Sequence, residues 1–177
     1  STYMSITAKD VKKLRDITGV GMMDCKKALV DTEGDFEKAI DLLRKKGEKV
    51  AAKRADREAK EGVIVTVGSD DGKTAIMVEV NCETDFVARN DDFQAFVKDI
   101  SARALSSDGS IAEDEDAKGS LMDVVAAIGE KIIIKRDTKY KLEGTGCVTP
   151  YIHLGGKVGV LVELGCEKED TTSNDNF

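Results

Sequence analysis

The 177 residues contain no long apolar run and no cluster of metal-binding side chains. A membrane-spanning helix needs roughly 18 to 20 apolar residues, so we do not expect a membrane protein. The four cysteines are far apart in the sequence and only one histidine is present. This spacing supports neither a zinc site nor a disulfide framework, so we expect no metal, no cofactor and a reducing cytoplasm.

An excess of positive charge is also lacking, because the chain has a net charge of −7. Residues 1–60 hold 15 Lys and Arg against 11 Asp and Glu, whereas residues 61–177 hold 12 against 23. Proteins that bind nucleic acid need positive charge to neutralise phosphate, so direct nucleic-acid binding is not expected. A basic N-terminal part on an acidic body suits a protein partner better.

Residues 5–47 are predicted to form a compact domain of three short helices. Thr7 and Asp10 have the spacing of a capping box, the glycines of TGVG end the first helix, and Asp35 caps the third. Gly47 is expected to end the third helix. The inward-facing residues are predicted to be Val11, Leu14, Ile17, Met22, Cys25, Ala28, Leu29, Phe36, Ala39, Ile40 and Leu43. The leading Ser1–Tyr3, before Met4, is set aside as an expected addition to the natural chain.

The rest of the chain is predicted to be a charged linker and a mixed helix-and-sheet body. Residues 48–61 hold nine charges and form the linker, and residues 62–143 begin with a hairpin, VIVTV and TAIMVEVN around GSDDGK. A helix follows from Phe93, then an acidic loop, SSDGSIAEDEDAKGS, and a helix at LMDVVAAIG. Three further strands are predicted in KIIIKRDTKYKL, CVTPYIHL and KVGVLVEL. The last two belong to residues 144–177.

An internal repeat appears when the chain is shifted by 84 residues. Residues 72–93 and 156–177 then share nine identities in 22 positions without a gap. The body is therefore expected to contain two related α+β subdomains. In the first copy Phe93 opens a helix, whereas the second copy stops at Phe177. We therefore expect the second subdomain to be incomplete in this chain, with a covering helix beyond residue 177.

The segment NCETDFVARN, residues 81–90, places an aromatic residue in a polar connection. One interpretation is that Phe86 packs back onto its own sheet, as most aromatic side chains do. The repeat argues against this, because the second copy keeps Cys and Glu but has Lys168–Thr171 in place of TDFV. The other interpretation is that Phe86 is exposed and contacts a partner protein.

The motifs TGVGMMDCKKAL and NCETDFVARN, in this order, resemble the elongation factor Ts family. The resemblance runs from about Ile6 to Leu164 and includes IGEKIIIKR and YIHLGGKVGVLVE. It implies a ubiquitin-associated-like three-helix domain followed by a core of two related α+β subdomains. It also implies a guanine-nucleotide exchange factor that acts on the translational GTPase elongation factor Tu by protein binding, without a catalytic residue.

The same resemblance assigns roles to residues that match the family's motifs. Asp85 and Phe86, shaped by Thr84 and Val87, would enter the GTPase beside the nucleotide and disturb its Mg²⁺ site. His153, in YIHLGG, would approach the phosphate-binding side, although Leu154 stands where a Gly is common. The residues that would dock on a helix of the GTPase are Lys12, Arg15, Met22 and Met23. The two adjacent Met side chains cannot both face inward on one helix, which favours a partner surface for them.

Two other interpretations compete with this one. Residues 6–47 could be a ubiquitin-binding module, but such modules carry Met-Gly-Phe or a close variant where this chain has Thr-Gly-Val-Gly. A thiol-dependent enzyme would use Cys82 or Cys166. Their shared place in the repeat favours a buried structural role instead.

Overall fold

Three helices form the N-terminal part of the computed structural model, which describes residues 5–177. They are α1 (Ala8–Thr18), α2 (Met22–Asp31) and α3 (Phe36–Lys53). The predicted local signals are confirmed: Thr7 and Asp10 form a capping box, Gly19 ends α1 in the left-handed conformation, and the Asp35 carboxylate accepts from the Lys38 amide. The segment Ser1–Tyr3, which we expect to be an addition to the natural chain, lies outside the described residues.

Three predictions about these helices are wrong. Met22 was expected on the inward side of α2, but it is the first residue of that helix and is 38% exposed. Ile17 was placed on the inward face of α1, but it is 54% exposed, and Thr18 is buried instead. The Thr18 hydroxyl donates to the Leu14 carbonyl at 2.9 Å, which satisfies the buried oxygen within the helix. Gly47 was expected to end α3, but the helix continues to Lys53, so the predicted boundary between residues 47 and 48 falls inside a helix.

A three-stranded antiparallel sheet and three further helices follow. The strands are β1 (Glu61–Gly68), β2 (Thr74–Cys82) and β3 (Ile133–Lys141), in the order β1-β2-β3. The helices are α4 (Asp85–Ala88), α5 (Asp91–Ser106) and α6 (Glu115–Ile128). Alternate residues of β2 face the helices, because Ile76, Val78 and Val80 are buried with Phe93 and Val97 of α5 in one core.

The acidic segment before α6 is more ordered than the predicted loop. Asp114 caps α6 through the Ala117 amide, so the helix begins at Glu115. A 3-10 turn at Ile111–Glu113 precedes it, and Ile111 is fully buried in the core. Because the segment is mostly acidic, its composition gave no sign that Ile111 would be buried in the core.

Helix α6 joins the sheet core to the N-terminal helices. Gly47 of α3 lies against the backbone of Met122, where an added Cβ atom would stand 2.1 Å from the carbonyl oxygen. The Arg44 guanidinium donates to both carboxylate oxygens of Asp123, at 3.1 and 3.3 Å. Ala126 of α6 belongs to the core formed by α1, α2 and α3. The N-terminal helices are thus packed on the body through α3 and α6.

A second hairpin, β4 (Gly146–His153) and β5 (Val158–Gly165), repeats the first in its strand pairing. Val63 faces Val80 in the first hairpin, and Cys147 faces Leu164 in the second, so both partners shift by 84 residues. The repeat also includes a glycine that the identities in residues 72–93 did not reveal. Gly62 and Gly146 have φ of 142° and 147°, and an added Cβ would stand 2.1 and 2.0 Å from the Val80 and Leu164 carbonyl oxygens.

One face of the second hairpin is exposed where its counterpart is buried. Val160, Val162 and Leu164 are 42%, 43% and 42% exposed, whereas the equivalent Ile76, Val78 and Val80 are at most 1% exposed. The difference arises because α5 covers the first hairpin and no helix of the described residues covers this face of the second. The mixture of helix and sheet in residues 5–177 agrees with the predicted α+β class, and no helix among them is long and apolar enough to span a bilayer.

Matched substitutions in the two hairpins are expected to have different effects. Val78→Ala removes buried methyl groups and should lower the free energy of unfolding by about 2 kcal/mol. The equivalent Val162→Ala lies on the exposed face and should lower it by less than about 0.5 kcal/mol. Urea denaturation of both variants measures the difference, and equal losses would contradict the assignment of Val162 to an exposed face.

Candidate functional site

Hydrogen bonds fix the backbone of the segment between β2 and α5, and one large side chain of this segment is exposed. Thr84 caps the single turn of α4 by accepting from the Val87 amide at 3.3 Å. Ala88 is buried and Val87 is half-buried against the sheet core. Phe86 projects from the same turn and is 79% exposed. The side chain therefore does not pack on its own sheet.

Two carboxylates, those of Glu130 and Glu83, fix the start of this turn. The Glu130 carboxylate accepts from the backbone amides of Glu83 and Thr84, each at 3.1 Å, and from the Thr84 hydroxyl at 2.8 Å. The Glu83 carboxylate accepts from the Lys131 amide at 2.8 Å and from the Arg54 guanidinium at 2.8 and 2.9 Å. Residues 83 and 84 are thereby tied to the segment after α6 and to the end of α3.

These bonds also affect the ionisation of Glu83. Burial opposes its charge, but the Lys131 amide and the Arg54 guanidinium together outweigh burial and lower the pKa of Glu83. A lowered carboxyl pKa stabilises the folded state above the unfolded pKa, and this stabilisation is lost as the pH falls through the folded value. The connection to the turn is therefore strongest near neutral pH.

Asp85 and Cys82 lie on either side of Thr84 and differ in exposure. Asp85 is exposed and forms an ion pair with Arg89, one turn along. Cys82 is fully buried, and burial together with the nearby Glu130 carboxylate raises the pKa of its thiol to about 12. A thiol with so high a pKa is a poor nucleophile at neutral pH.

The second copy of the repeat has a similar backbone but lacks these ties. The Cys82 thiol donates to the Thr84 carbonyl at 3.2 Å, and the Cys166 thiol to the Lys168 carbonyl at 3.3 Å, so the two thiols make equivalent hydrogen bonds. Cys82 is buried as predicted, but Cys166 is only half-buried, so the predicted buried role is wrong for Cys166. A 3-10 turn at Glu169–Ser173 replaces α4, without a side-chain cap at Lys168. The first copy is thus distinguished by a turn that Thr84 caps and that the Glu130 carboxylate holds, and by the exposed Phe86.

His153 lies at the end of β4, on an element separate from α4. Its Nδ1 is 2.8 Å from the Tyr151 hydroxyl, and the two rings are stacked with centroids 5.8 Å apart. Leu154, which follows, has a positive φ of 52°, a conformation that costs less for glycine. The Ile64 amide donates to the Gly156 carbonyl at 2.6 Å, which anchors this turn on β1.

The N-terminal candidates lie on α1 and at the start of α2. Met22 and Met23 are 38% and 78% exposed at the start of α2, and Lys12 and Arg15 are exposed on α1. Sequence reasoning missed Ile17, whose exposed side chain lies in the last turn of α1, before the TGVG connection. Ile17, Met22 and Met23 thus give apolar residues on both sides of this connection.

Removal of the Glu130 carboxylate is expected to loosen the turn around Thr84. Glu130→Ala leaves three donors without their acceptor and should lower the free energy of unfolding by about 2 kcal/mol. Hydrogen–deuterium exchange should accelerate at residues 83–88. Glu143→Ala, which removes an exposed carboxylate elsewhere, is the matched control. An unchanged hydrogen-exchange rate of the Thr84 amide in Glu130→Ala would show that the Glu130 carboxylate does not hold this turn.

Comparison with known proteins leads to the same family as the sequence motifs. A family model described as "Elongation factor TS" matches residues 83–175. The curated "Elongation factor Ts" of Clostridium novyi (strain NT) is 48% identical over 175 residues, which cover 93% of this chain and 57% of that protein. That of Chlorobaculum tepidum is 46% identical over 175 residues, covering 92% and 60%.

A third relative gives the same result. The "Elongation factor Ts" of a Nitratiruptor species is 46% identical over 181 aligned positions, covering 97% of this chain and 59% of that protein. The chain thus spans somewhat more than half the length of these relatives. The similarity covers both the N-terminal helices and the segment around Phe86. This chain belongs to the elongation factor Ts family.

Proposed function

We propose that this chain is a translation elongation factor that binds elongation factor Tu and promotes release of its GDP. It acts by protein binding and not as an enzyme. The partner is expected in the cytoplasm, and neither nucleic acid nor membrane takes part directly. The family to which the chain belongs supports this proposal.

The observation that best supports the proposal is the exposure of Phe86 on a turn whose backbone is fixed. A large apolar side chain in water gains roughly 1.5 to 3 kcal/mol when a partner buries it. Because Glu83 and Glu130 already hold the turn, little conformational entropy is lost when the turn enters a partner. A rigid aromatic anchor of this kind is typical of an interface hot spot.

Exchange follows from thermodynamic coupling and needs no acid, base or nucleophile. A protein that binds the nucleotide-free GTPase more tightly than the GDP-bound form must weaken GDP binding by the same factor. In our proposal, Thr84–Val87 enter beside the nucleotide, where Phe86 acts as the wedge. The Asp85 carboxylate would compete with the few protein ligands, waters and phosphate oxygens that hold Mg²⁺ in such GTPases.

Other surfaces would hold the partner while the wedge enters. Lys12, Arg15, Met22 and Met23 would dock on a helix of the GTPase, and we now add Ile17 to this surface because it is exposed. His153 would approach the phosphate-binding side of the GTPase. The three N-terminal helices, which continue to Lys53, would form the ubiquitin-associated-like docking domain, residues 62–143 the first core subdomain, and residues 144–177 part of the second.

Release of a fluorescent GDP analogue from elongation factor Tu tests the proposal. The release rate should rise with the concentration of this chain and then saturate. The proposal fails if the chain binds elongation factor Tu, as measured by calorimetry, without accelerating release, and also if it does not bind.

A further inference from the structure

Strand β3 is an edge strand, since it pairs with β2 and with no other strand of residues 5–177. The Leu142 amide donates to the Lys73 carbonyl at 2.8 Å, which sets the alternation of the ladder. Every second residue from Leu142 back to Arg136 therefore faces β2, and Asp137, Lys139 and Lys141 direct their backbone groups outward. The register shifts at Lys135, where this alternation ends. Among the described residues these outward amides and carbonyls have no hydrogen-bond partner.

The edge is positively charged although the whole chain is acidic. Residues 131–141 hold one acidic residue, Asp137, and five basic ones, Lys131, Lys135, Arg136, Lys139 and Lys141. Arg136 is paired with Glu79 at 2.6 Å. Lys135 and Lys141 are exposed and have no ion-pair partner among residues 5–177. The edge therefore attracts carboxylates.

A depression opens on each side of this edge. On the helix side, a space of about 540 Å³ lies between β3 and the loop Ser107–Ala112. On the hairpin side, a smaller space of about 280 Å³ has Ile64, Met77 and Gly159 at its base. Side chains of an added strand alternate between the two faces of a sheet, so they would enter the two spaces in turn.

We propose that β3 binds an extended peptide of a partner protein as a fourth strand of the sheet. Its main chain pairs with the outward groups of Asp137, Lys139 and Lys141. Acidic side chains on the helix side face Lys135 and Lys139, and small apolar ones on the hairpin side contact Met77. This is strand addition, in which backbone bonds supply affinity and alternate side chains supply specificity.

Charge favours this occupant over a second copy of the chain. Two β3 strands side by side would bring their lysines together, and facing like charges destabilise a strand pair. Lysines on an edge strand also discourage indiscriminate pairing. An acidic strand is the partner for which the same lysines become attractive.

The test is a titration of the isotope-labelled chain with a capped synthetic peptide, Glu-Val-Glu-Val-Glu-Val-Glu, followed by NMR. Amide signals of Asp137, Lys139 and Lys141 should shift, and their hydrogen exchange should slow as they gain acceptors. The same peptide with Lys in place of Glu should not bind. A peptide N-methylated at alternate residues, which lacks the required donors, should also not bind.

Charge reversal on the chain provides the second measurement. Lys135→Glu with Lys141→Glu should weaken binding of the Glu-Val peptide by about tenfold or more. The matched control, Lys26→Glu with Lys98→Glu, makes the same charge change at exposed positions on α2 and α5 and should bind normally. The proposal is overturned if no β3 amide shifts at millimolar peptide, or if N-methylation does not affect the shifts. The lysines then only keep the edge solvated.

Discussion

Phe86→Ala is expected to reduce the acceleration of GDP release from elongation factor Tu by about 10-fold to 100-fold, since the lost burial is worth roughly 1.5 to 3 kcal/mol. The variant should fold normally, because Phe86 is 79% exposed and its truncation leaves no cavity. Stopped-flow release of fluorescent GDP measures the first effect, and the Tm measures the second.

Two further variants make the Phe86 test specific. Tyr140→Ala removes another exposed aromatic side chain, on β3, and should exchange nucleotide at the wild-type rate. Phe86→Leu keeps an apolar side chain and should retain part of the activity. A wild-type release rate with Phe86→Ala would show that the side chain is not the wedge.

Gly47→Ala is expected to cause the largest loss of stability, about 3 kcal/mol or more, through overpacking. The added Cβ would stand 2.1 Å from the Met122 carbonyl oxygen, and this backbone atom cannot move aside by a change of rotamer. Helices α3 and α6 would have to separate, which would disturb both hydrophobic cores. Chemical denaturation followed by circular dichroism measures the loss.

Gly119→Ala is the matched control for this contact. Gly119 also lies in the interface between α3 and α6, but its added Cβ would meet only the end of the Arg44 side chain, at 3.2 Å. Arg44 can shift, and alanine favours a helix over glycine by up to about 1 kcal/mol, so the net change should be small. Equal losses for both variants would mean that α3 and α6 are not closely packed at Gly47.

The close contact at Gly47 also explains why this residue was misinterpreted from the sequence. A glycine after a run of helical residues is a common end signal, and the sequence predicts the helix at LMDVVAAIG without any sign that Gly47 packs against it. The contact with Met122 depends on tertiary packing. Ile17 was misplaced for a related reason, because helical periodicity identifies an apolar side but not which of its residues the neighbouring helices cover.

The candidate turn was only partly predictable. The repeat identified TDFV as the segment that differs between the copies, and it favoured an exposed Phe86. The hydrogen bonds between the Glu130 carboxylate and this turn were not predictable. Glu130 lies 46 residues from Thr84, and no local pattern distinguishes it from other surface glutamates. It acts only once α6 brings it beside the end of β2.

The sequence by itself determined the features that depend on near neighbours. These are the caps at Thr7 and Asp35 and the positions of the strands, because each results from hydrogen bonding or side-chain alternation within a short segment. The repeat, with its shift of 84 residues, was also visible in the sequence, because its two copies still share identical residues. The tertiary structure alone decided the packing of α3 on α6, the hydrogen bonds between Glu130 and Thr84, and the exposure of Ile17. These depend on which distant elements meet, and a local pattern contains no information about that.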